Sequence, residues 1–345
     1  MLIGTRNGIL STLACAAEKI ADDEPDEEAQ EEQKMQTISE SLEMIGHFHT
    51  DKVYAVKPLG TSTQMVSISA DTTITLWEVT TQQQLSVIHM PAGPISLDVT
   101  REGSVMFIGS KVGTFRIYDI TNREKPRLIS QLRFYDNEEV SQIVSSEDGK
   151  LVLIASKESE TFFVMSQEAS NGYEIYGHIK ANGLIKNIGH HKMKDGTASA
   201  LAILSNSLCE SFCIPTSVYK NRLEPIPTSF TKSGVKKIDN DSSMLVSNQF
   251  SKHYGVVGDD LVLKFYEHYP DDEFNNIDWK KPAVKASIEM RDSHALGTTC
   301  TASSSQGNMI LTGGRDGMII QRSSEIVAGH DQFECVNTFS AHAIS

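Results

Sequence analysis

The sequence predicts an all-β fold built from one small unit repeated along the chain, and three observations carry that reading. First, Ile45 to Val79 (IGHFHTDKVYAVKPLGTSTQMVSISADTTITLWEV) reads as three short strands, Val53–Val56, Gln64–Ser69 and Thr73–Val79. They are β-branched or aromatic, and polar turns separate them. Second, the hairpin that turns on Asp71 and closes on Trp77 recurs in outline at residues 4–13, 109–118, 155–165, 204–212, 257–266 and 313–322. Third, Glu102-Gly103, Asp148-Gly149 and Gln306-Gly307 provide turns at equivalent places ahead of three of those hairpins.

Taken in order, the chain opens with LIGTRNGILSTL, two strands around an Asn7-Gly8 turn. This opening lacks the basic n-region and clean apolar run of a signal peptide. A chain that starts inside a hairpin, and ends on FSAHAIS with a strand, a loop His and the start of another strand, is expected to be a segment of a longer protein. Residues 17–38 read as an insertion whose centre is acidic (DDEPDEEAQEE, Asp22 to Glu32). Asp22, Asp23, Glu24, Asp26, Glu27 and Glu28 crowd like charges that repel one another and cannot enter a core, which predicts a disordered, solvated loop. The same run offers an electrostatic dock for a basic, Lys-rich partner. It lacks the Gly turn and Asp-x-Asp spacing of a calcium loop.

The stretch from Ile45 then gives the repeat its fullest form: a Gly-His pair, a turn on Asp71, and Trp77. That order resembles the WD40 repeat, one blade of a β-propeller. The resemblance implies a hydrogen-bonded tetrad of loop His, strand Ser, turn Asp and strand Trp. Here these are His49 (or His47), Ser67 or Ser69, Asp71 and Trp77, a set that stiffens a blade and does no chemistry. The other copies are degenerate, with Asn7 at the turn of the first and Leu13, Tyr118 and Arg322 in the Trp77 position. Successive copies lie roughly 40 to 65 residues apart, at or above the repeat length of such blades.

The resemblance therefore implies a single WD40-type propeller over residues 1–345, of about seven four-stranded blades whose apolar faces are buried by radial stacking. It also implies closure of one blade by the two chain ends. Residues 1–16 and 40–46 would give three of its strands, and residues after His342 the fourth.

Two later stretches read as excursions. Residues 267–283, within YEHYPDDEFNNIDWKKPA, are expected to protrude from a blade margin. Tyr269, Phe274 and Trp279 are candidates to anchor a protein partner, the alternative being that Trp279 packs back on its own blade. Pro215 to Ser233, with three prolines, is a second irregular segment.

Composition narrows the function classes. A formal net charge of −14 argues against nucleic acid or an anionic lipid surface as the main target, and basic or mixed-charge proteins fit better. No run approaches the twenty or so apolar residues of a membrane span. Cys15, Cys209, Cys213, Cys300 and Cys335 are odd in number and make no CxxC or Cys/His cluster, so reduced thiols of a cytosolic compartment are expected. His190-His191 reads as a polar turn rather than a metal site, since Lys192 and Lys194 flank it. Gly313-Gly314 and Asp316-Gly317 form a tight turn and no phosphate loop, and no GxSxG nucleophile elbow occurs. Neither an enzyme nor a cofactor is expected.

Within the WD40 group, the connector TNREKPRLISQLRFYD (Thr121 to Asp136), the phrase YEIYGHI (Tyr173 to Ile179) and the degenerate later blades with long inserts are similar to the axonemal cilia- and flagella-associated WD-repeat proteins of the 43/44 type. That likeness implies a non-catalytic scaffold in the cytoplasm and cytoskeleton, at the axoneme of a cilium or flagellum. Its partners would be subunits of a dynein arm or its tether complex, microtubule-associated proteins, and a paralogous WD-repeat protein. The alternative is a cytosolic adaptor of a ubiquitin-ligase or trafficking complex.

Overall fold

The computed structural model describes residues 2–4, 9–13, 42–47, 49–60, 62–136, 138–146, 148–167, 172–181, 183–192, 198–204, 208–214, 233–237, 242–247, 253–258, 262–267, 288–290, 294–303, 309–327 and 330–340. Among them every regular element is a strand, and the strands form seven antiparallel sheets of sequential neighbours. The first sheet has three strands, β1 (Leu2–Gly4), β2 (Ile9–Leu13) and β3 (Leu42–His47). The second is β4 (Val53–Pro58), β5 (Gln64–Ser69), β6 (Thr73–Glu78) and β7 (Gln83–His89). The third is β8 (Pro94–Val99), β9 (Val105–Ser110), β10 (Thr114–Asp119) and β11 (Arg127–Arg133).

The fourth contains β12 (Gln142–Ser145), β13 (Leu151–Ala155), β14 (Thr161–Gln167) and β15 (Tyr173–Lys180). The fifth contains β16 (Ile185–Lys192), β17 (Ala198–Leu204), β18 (Leu208–Ile214) and β19 (Ser233–Lys237). The sixth contains β20 (Ser242–Ser247), β21 (His253–Gly258), β22 (Leu263–Glu267) and β23 (Ile288–Met290). The last contains β24 (Thr298–Ser303), β25 (Met309–Gly314), β26 (Met318–Val327) and β27 (His330–Ser340).

Strand position within a sheet decides its pattern. In β5 and β6 nearly every residue is buried, so both faces are covered, with small hydroxyl side chains (Ser67, Ser69, Thr75) buried among the apolar ones. Strand β7, last in its sheet, is mostly exposed and correspondingly polar. The same contrast separates β9 from β11.

Two recurrent irregularities keep the sheets in phase. A one-residue register shift falls at Val53/Ala55, Pro94/Ser96, Ile185/Asn187, Ser242/Met244 and Thr298/Cys300, at the start of the first strand in five of the sheets. A second falls at Leu76/Trp77, Val164/Met165 and Gln321/Arg322, between the third and fourth strands. Bulges of this kind bend a strand and increase its twist. Their recurrence places Trp77, Met165 and Arg322 at one equivalent position.

The chain forms two compact units, one of residues 1–111 with 116–131 and the other of residues 112–115 with 132–345. In the first, Val66, Ile68, Ile74, Leu76, Met90, Met106 and Ile108 are fully buried in one cluster. Each such side chain contributes roughly 1.5–3 kcal/mol relative to exposure. Arg123 braces this unit, donating to Gln64 Oε1 (3.1 Å) and to the carbonyl of Gly103 (2.6 Å). In the second unit, Leu153, Phe162, Val164 and Ile185 lie at the centre of a further core. The Tyr135 hydroxyl donates to the Thr161 carbonyl at 2.8 Å, and burial pushes its pKa up. Gly113 (φ +77°) turns beneath Tyr135, where a Cβ would overlap the Tyr135 carbonyl oxygen.

One sequence expectation is corrected here. His190 and His191 are not in a turn: they lie inside β16, paired with Ala200 and Ser199 of β17, and His190 is buried. The run IKNIGHHK carries its apolar residues on a strand that is paired along its length, and the polar pair is absorbed into the ladder.

Candidate functional site

The polar centre of the second sheet is His49. Its loop leads from β3 into β4, and its imidazole is buried (3 % exposed). Nδ1 lies 3.1 Å from Asp71 Oδ2 and 3.0 Å from Thr73 Oγ1, and Nε2 lies 2.7 Å from Ser67 Oγ. An ionised carboxylate only accepts, so Nδ1 carries the proton and Nε2 accepts from the Ser67 hydroxyl. The tautomer follows from the partners.

Asp71 holds the β5–β6 turn together. Beyond His49 it accepts from the Thr50 N–H (2.9 Å), the Thr73 N–H (2.9 Å) and the Thr73 hydroxyl (2.6 Å). Burial pushes its pKa up, but these donors together with His49 outweigh that and hold it below the ordinary carboxylate value. Burial pushes His49 down more strongly than Asp71 raises it, so the ring stays neutral.

Trp77 is fully buried against Val53 and Met65. Of the alternatives left open by the sequence, His47 belongs to β3, where it pairs with Ile9. Ser69 braces the loop instead, donating to the Asp51 carbonyl (3.0 Å) and accepting from the Asp71 N–H (3.2 Å).

The last sheet contains a second constellation, which its degenerate hairpin sequence does not reveal. His294 Nδ1 donates to Asp316 Oδ1 (3.0 Å), and its Nε2 accepts from the Thr312 hydroxyl (3.0 Å). Arg322, 1 % exposed, donates through Nη1 to Thr312 Oγ1 at 2.9 Å. Asp316 also accepts from the N–H groups of Ala295 and Met318, each at 3.0 Å. Burial raises its pKa, but those donors together with His294 lower it by more, to a net value below the ordinary carboxylate value.

Each member stands 245 positions after its counterpart, as 294 less 49 and 322 less 77 both give. The His-to-Ser/Thr interval of 18 and the His-to-Asp interval of 22 are common to both. That spacing was the available signal. The absence of a Gly-His opener and the Arg322 replacement concealed it.

In both constellations each imidazole nitrogen is occupied by a protein neighbour, so neither ring is placed to receive a substrate proton. Among the described residues no group of three His, Cys, Asp or Glu side chains is arranged to hold a metal ion, and no helix is long and apolar enough to cross a membrane. The candidate partner-binding residues Asp22, Asp23, Glu24, Asp26, Glu27, Glu28, Tyr269, Phe274 and Trp279 lie outside the described residues, as does Pro215 to Lys232. The connector from Thr121 to Asp136 contains Arg123 and then β11, and Tyr173 to Ile179 lies within β15.

No family model matches the sequence, and no curated protein matches it either. Among solved structures, the crystal structure of the RRP9 WD40 repeats is similar, with a TM-score of 0.60 over 82% of this chain and 79% of that one. At 10% identity the likeness shows the fold alone: repeated four-stranded antiparallel sheets of the WD40 propeller type. Because 1672 solved chains match, the fold by itself selects no partner.

Proposed function

We propose that the chain is a non-catalytic WD-repeat scaffold that holds other proteins on the surfaces of its blades. The observation that carries this reading is the use of its buried polar groups. Both His–Asp constellations are consumed in fixing turns and strands, which leaves rigid sheets with external loops as the working surface. The likeness to a WD40 fold supports an adaptor of general type, such as a cytosolic member of a ubiquitin-ligase or trafficking complex.

The finer reading rests on sequence alone. Under it the scaffold belongs to the axoneme of a cilium or flagellum and docks dynein-arm or tether-complex subunits, microtubule-associated proteins, or a paralogous WD-repeat protein. The connectors at Thr121 to Asp136 and Tyr173 to Ile179 support it, as does the net charge of −14, which suits basic protein partners.

Localisation of the tagged protein in a ciliated cell, followed by salt extraction of the axoneme and identification of co-purifying proteins, tests both. Retention at regular intervals along the axoneme is the outcome expected for the ciliary scaffold. A diffuse cytosolic signal with soluble partners assigns the adaptor. Failure to retain any protein partner in either fraction overturns the scaffold reading itself.

A further inference from the structure

The first unit presents a cationic feature that neither constellation uses. Tyr54 is the extra residue at the Val53/Ala55 register shift of β4. A bulge re-aims its side chain, and two lysines converge on this ring. Lys52 Nζ lies 5.0 Å from the ring centroid and Lys111 Nζ 5.5 Å, both within cation–π range. Their backbones are fixed: the Lys52 carbonyl accepts from the Ala70 N–H at 2.8 Å, and the Lys111 N–H donates to the Gly93 carbonyl at 3.3 Å. Both lysines are exposed, and Tyr54 is half-buried between them.

What marks this pair is convergence on one ring, whereas four other basic residues lie beside a carboxylate. Lys57 is paired with Asp98 at 3.1 Å, Arg127 with Asp119 at 3.4 Å, Arg133 with Asp136 at 3.5 Å and Lys180 with Glu160 at 3.5 Å. Among the described residues neither Lys52 nor Lys111 has a carboxylate partner. Asp51, the nearest acid in sequence, spends Oδ1 on the Lys52 backbone N–H at 2.6 Å. Among the described residues two ammonium groups are thus gathered on one aromatic ring with no carboxylate beside them, in a chain with 45 acidic and 31 basic residues. A cation–π contact consumes none of the three N–H donors of an ammonium, so both groups retain donors for an anion.

We propose that Lys52, Tyr54 and Lys111 form a docking point for a carboxylate-rich segment of a partner protein. Such a segment supplies Glu or Asp side chains to both ammonium groups, and an apolar neighbour packs on the Tyr54 ring. The inference rests on the scaffold reading for its biological setting, but its test does not.

The probe is a fluorescein-labelled hexaglutamate peptide, followed by fluorescence anisotropy against the whole chain, with a hexaglutamine peptide as control. Binding of the glutamate peptide alone, weakened at high salt, is expected. The K52A/K111A double variant should weaken it at least about tenfold, while K52R/K111R retains it. Melting curves of these variants should match the parent, since both side chains are exposed. Equal binding by the parent and K52A/K111A overturns the proposal, as does absence of binding to the parent. Binding of a phosphoserine peptide with the hexaglutamate peptide idle also overturns it, by assigning the site to phosphate. Capture of cellular partners by the tagged parent, whatever the peptide result, bears on the scaffold reading separately.

Discussion

The second and last sheets build the same frame and fill one slot differently. In both, a buried His links a strand hydroxyl to a turn carboxylate with the same chain intervals. At the slot that follows, one sheet buries the indole of Trp77 and the other the guanidinium of Arg322. The frame therefore does not depend on an aromatic at that position. It depends on the turn carboxylate and the His that reaches it, with the slot residue free to stabilise the sheet by apolar packing or by donating into the hydroxyl. The two means are not energetically equal. Indole burial adds stability directly, whereas a buried cation must first overcome the loss of its hydration.

That inequality gives the largest expected difference. Trp77→Ala should cost about 3–5 kcal/mol, because it empties a fully buried slot against Val53 and Met65. Arg322→Met should cost less, about 1–2 kcal/mol, since an apolar side chain of similar size refills the slot but leaves the Thr312 hydroxyl without its donor. Chemical denaturation of the two variants beside the parent measures both. A loss for Arg322→Met as large as that for Trp77→Ala would show that the guanidinium is as integral to its sheet as the indole.

The turn carboxylates come next. Asp71 accepts from four groups, of which two belong to Thr73, whereas the corresponding Met318 offers Asp316 only its N–H. Asp71→Ala should accordingly cost about 2–3 kcal/mol and Asp316→Ala somewhat less, each by leaving the buried His N–H and the half-buried donors of Thr73 or Met318 unpaired. Equal losses would break the link between the number of donors and the worth of the turn. Thermal unfolding of the two variants under one buffer provides the comparison.

How much of this was legible in the sequence follows from the burial of each strand. Strands β5 and β6 are covered on both faces, so the requirement for apolar, β-branched residues is severe and their limits could be read from composition. Tyr118 and Arg322 were placed by counting from the turn, and both proved buried at the slot. His294 was not legible by type, because Ser293-His294-Ala295 lacks the features of the Gly46-to-Lys52 stretch; only the interval to Asp316 marks it. His190-His191 misled for the opposite reason. A polar pair suggests a turn, whereas pairing with β17 allows polar residues inside a ladder. The bulges were invisible in the sequence, since a register shift depends on which residue of the partner strand stands opposite.

A smaller contrast lies one step before the turn. Ser69 and Gly314 occupy equivalent positions, again 245 apart. Ser69 uses its hydroxyl to tie the Asp51 carbonyl to the turn, while at Gly314 a Cβ would overlap the His294 ring and Asp316. Gly314→Ser is therefore expected to destabilise the last sheet by about 1–3 kcal/mol through overpacking, although serine is the residue its counterpart carries. A neutral or stabilising result, with the His294 ring resonances unchanged by NMR, would mean that the last sheet can adopt the geometry of the second.

Acid separates the His from the carboxylates, with the smallest expected effect. The folded pKa of His49 lies below its ordinary value of 6.5, chiefly through burial. As pH falls past 6.5 the unfolded chain takes up a proton that the folded chain resists, so the stability contributed by neutral His49 is full above 6.5 and declines on acidification until its folded pKa is passed. Asp71 and Asp316 have folded pKa values below the ordinary 3.8, so their contribution persists down to about that pH and is lost only as pH falls through the lower folded values. Two acid steps should result, and His49→Gln should flatten the first, leave the Asp316 part of the second in place and move the Asp71 part up toward the ordinary carboxylate value, since His49 helps to hold Asp71 down. Denaturation midpoints measured from neutral pH down to pH values below the ordinary carboxylate range resolve them. If His49→Gln kept the parent's decline beginning near 6.5, the first step would belong to another group, and the buried ring in the second sheet would tolerate its proton by reorganising Ser67 rather than by weakening the blade.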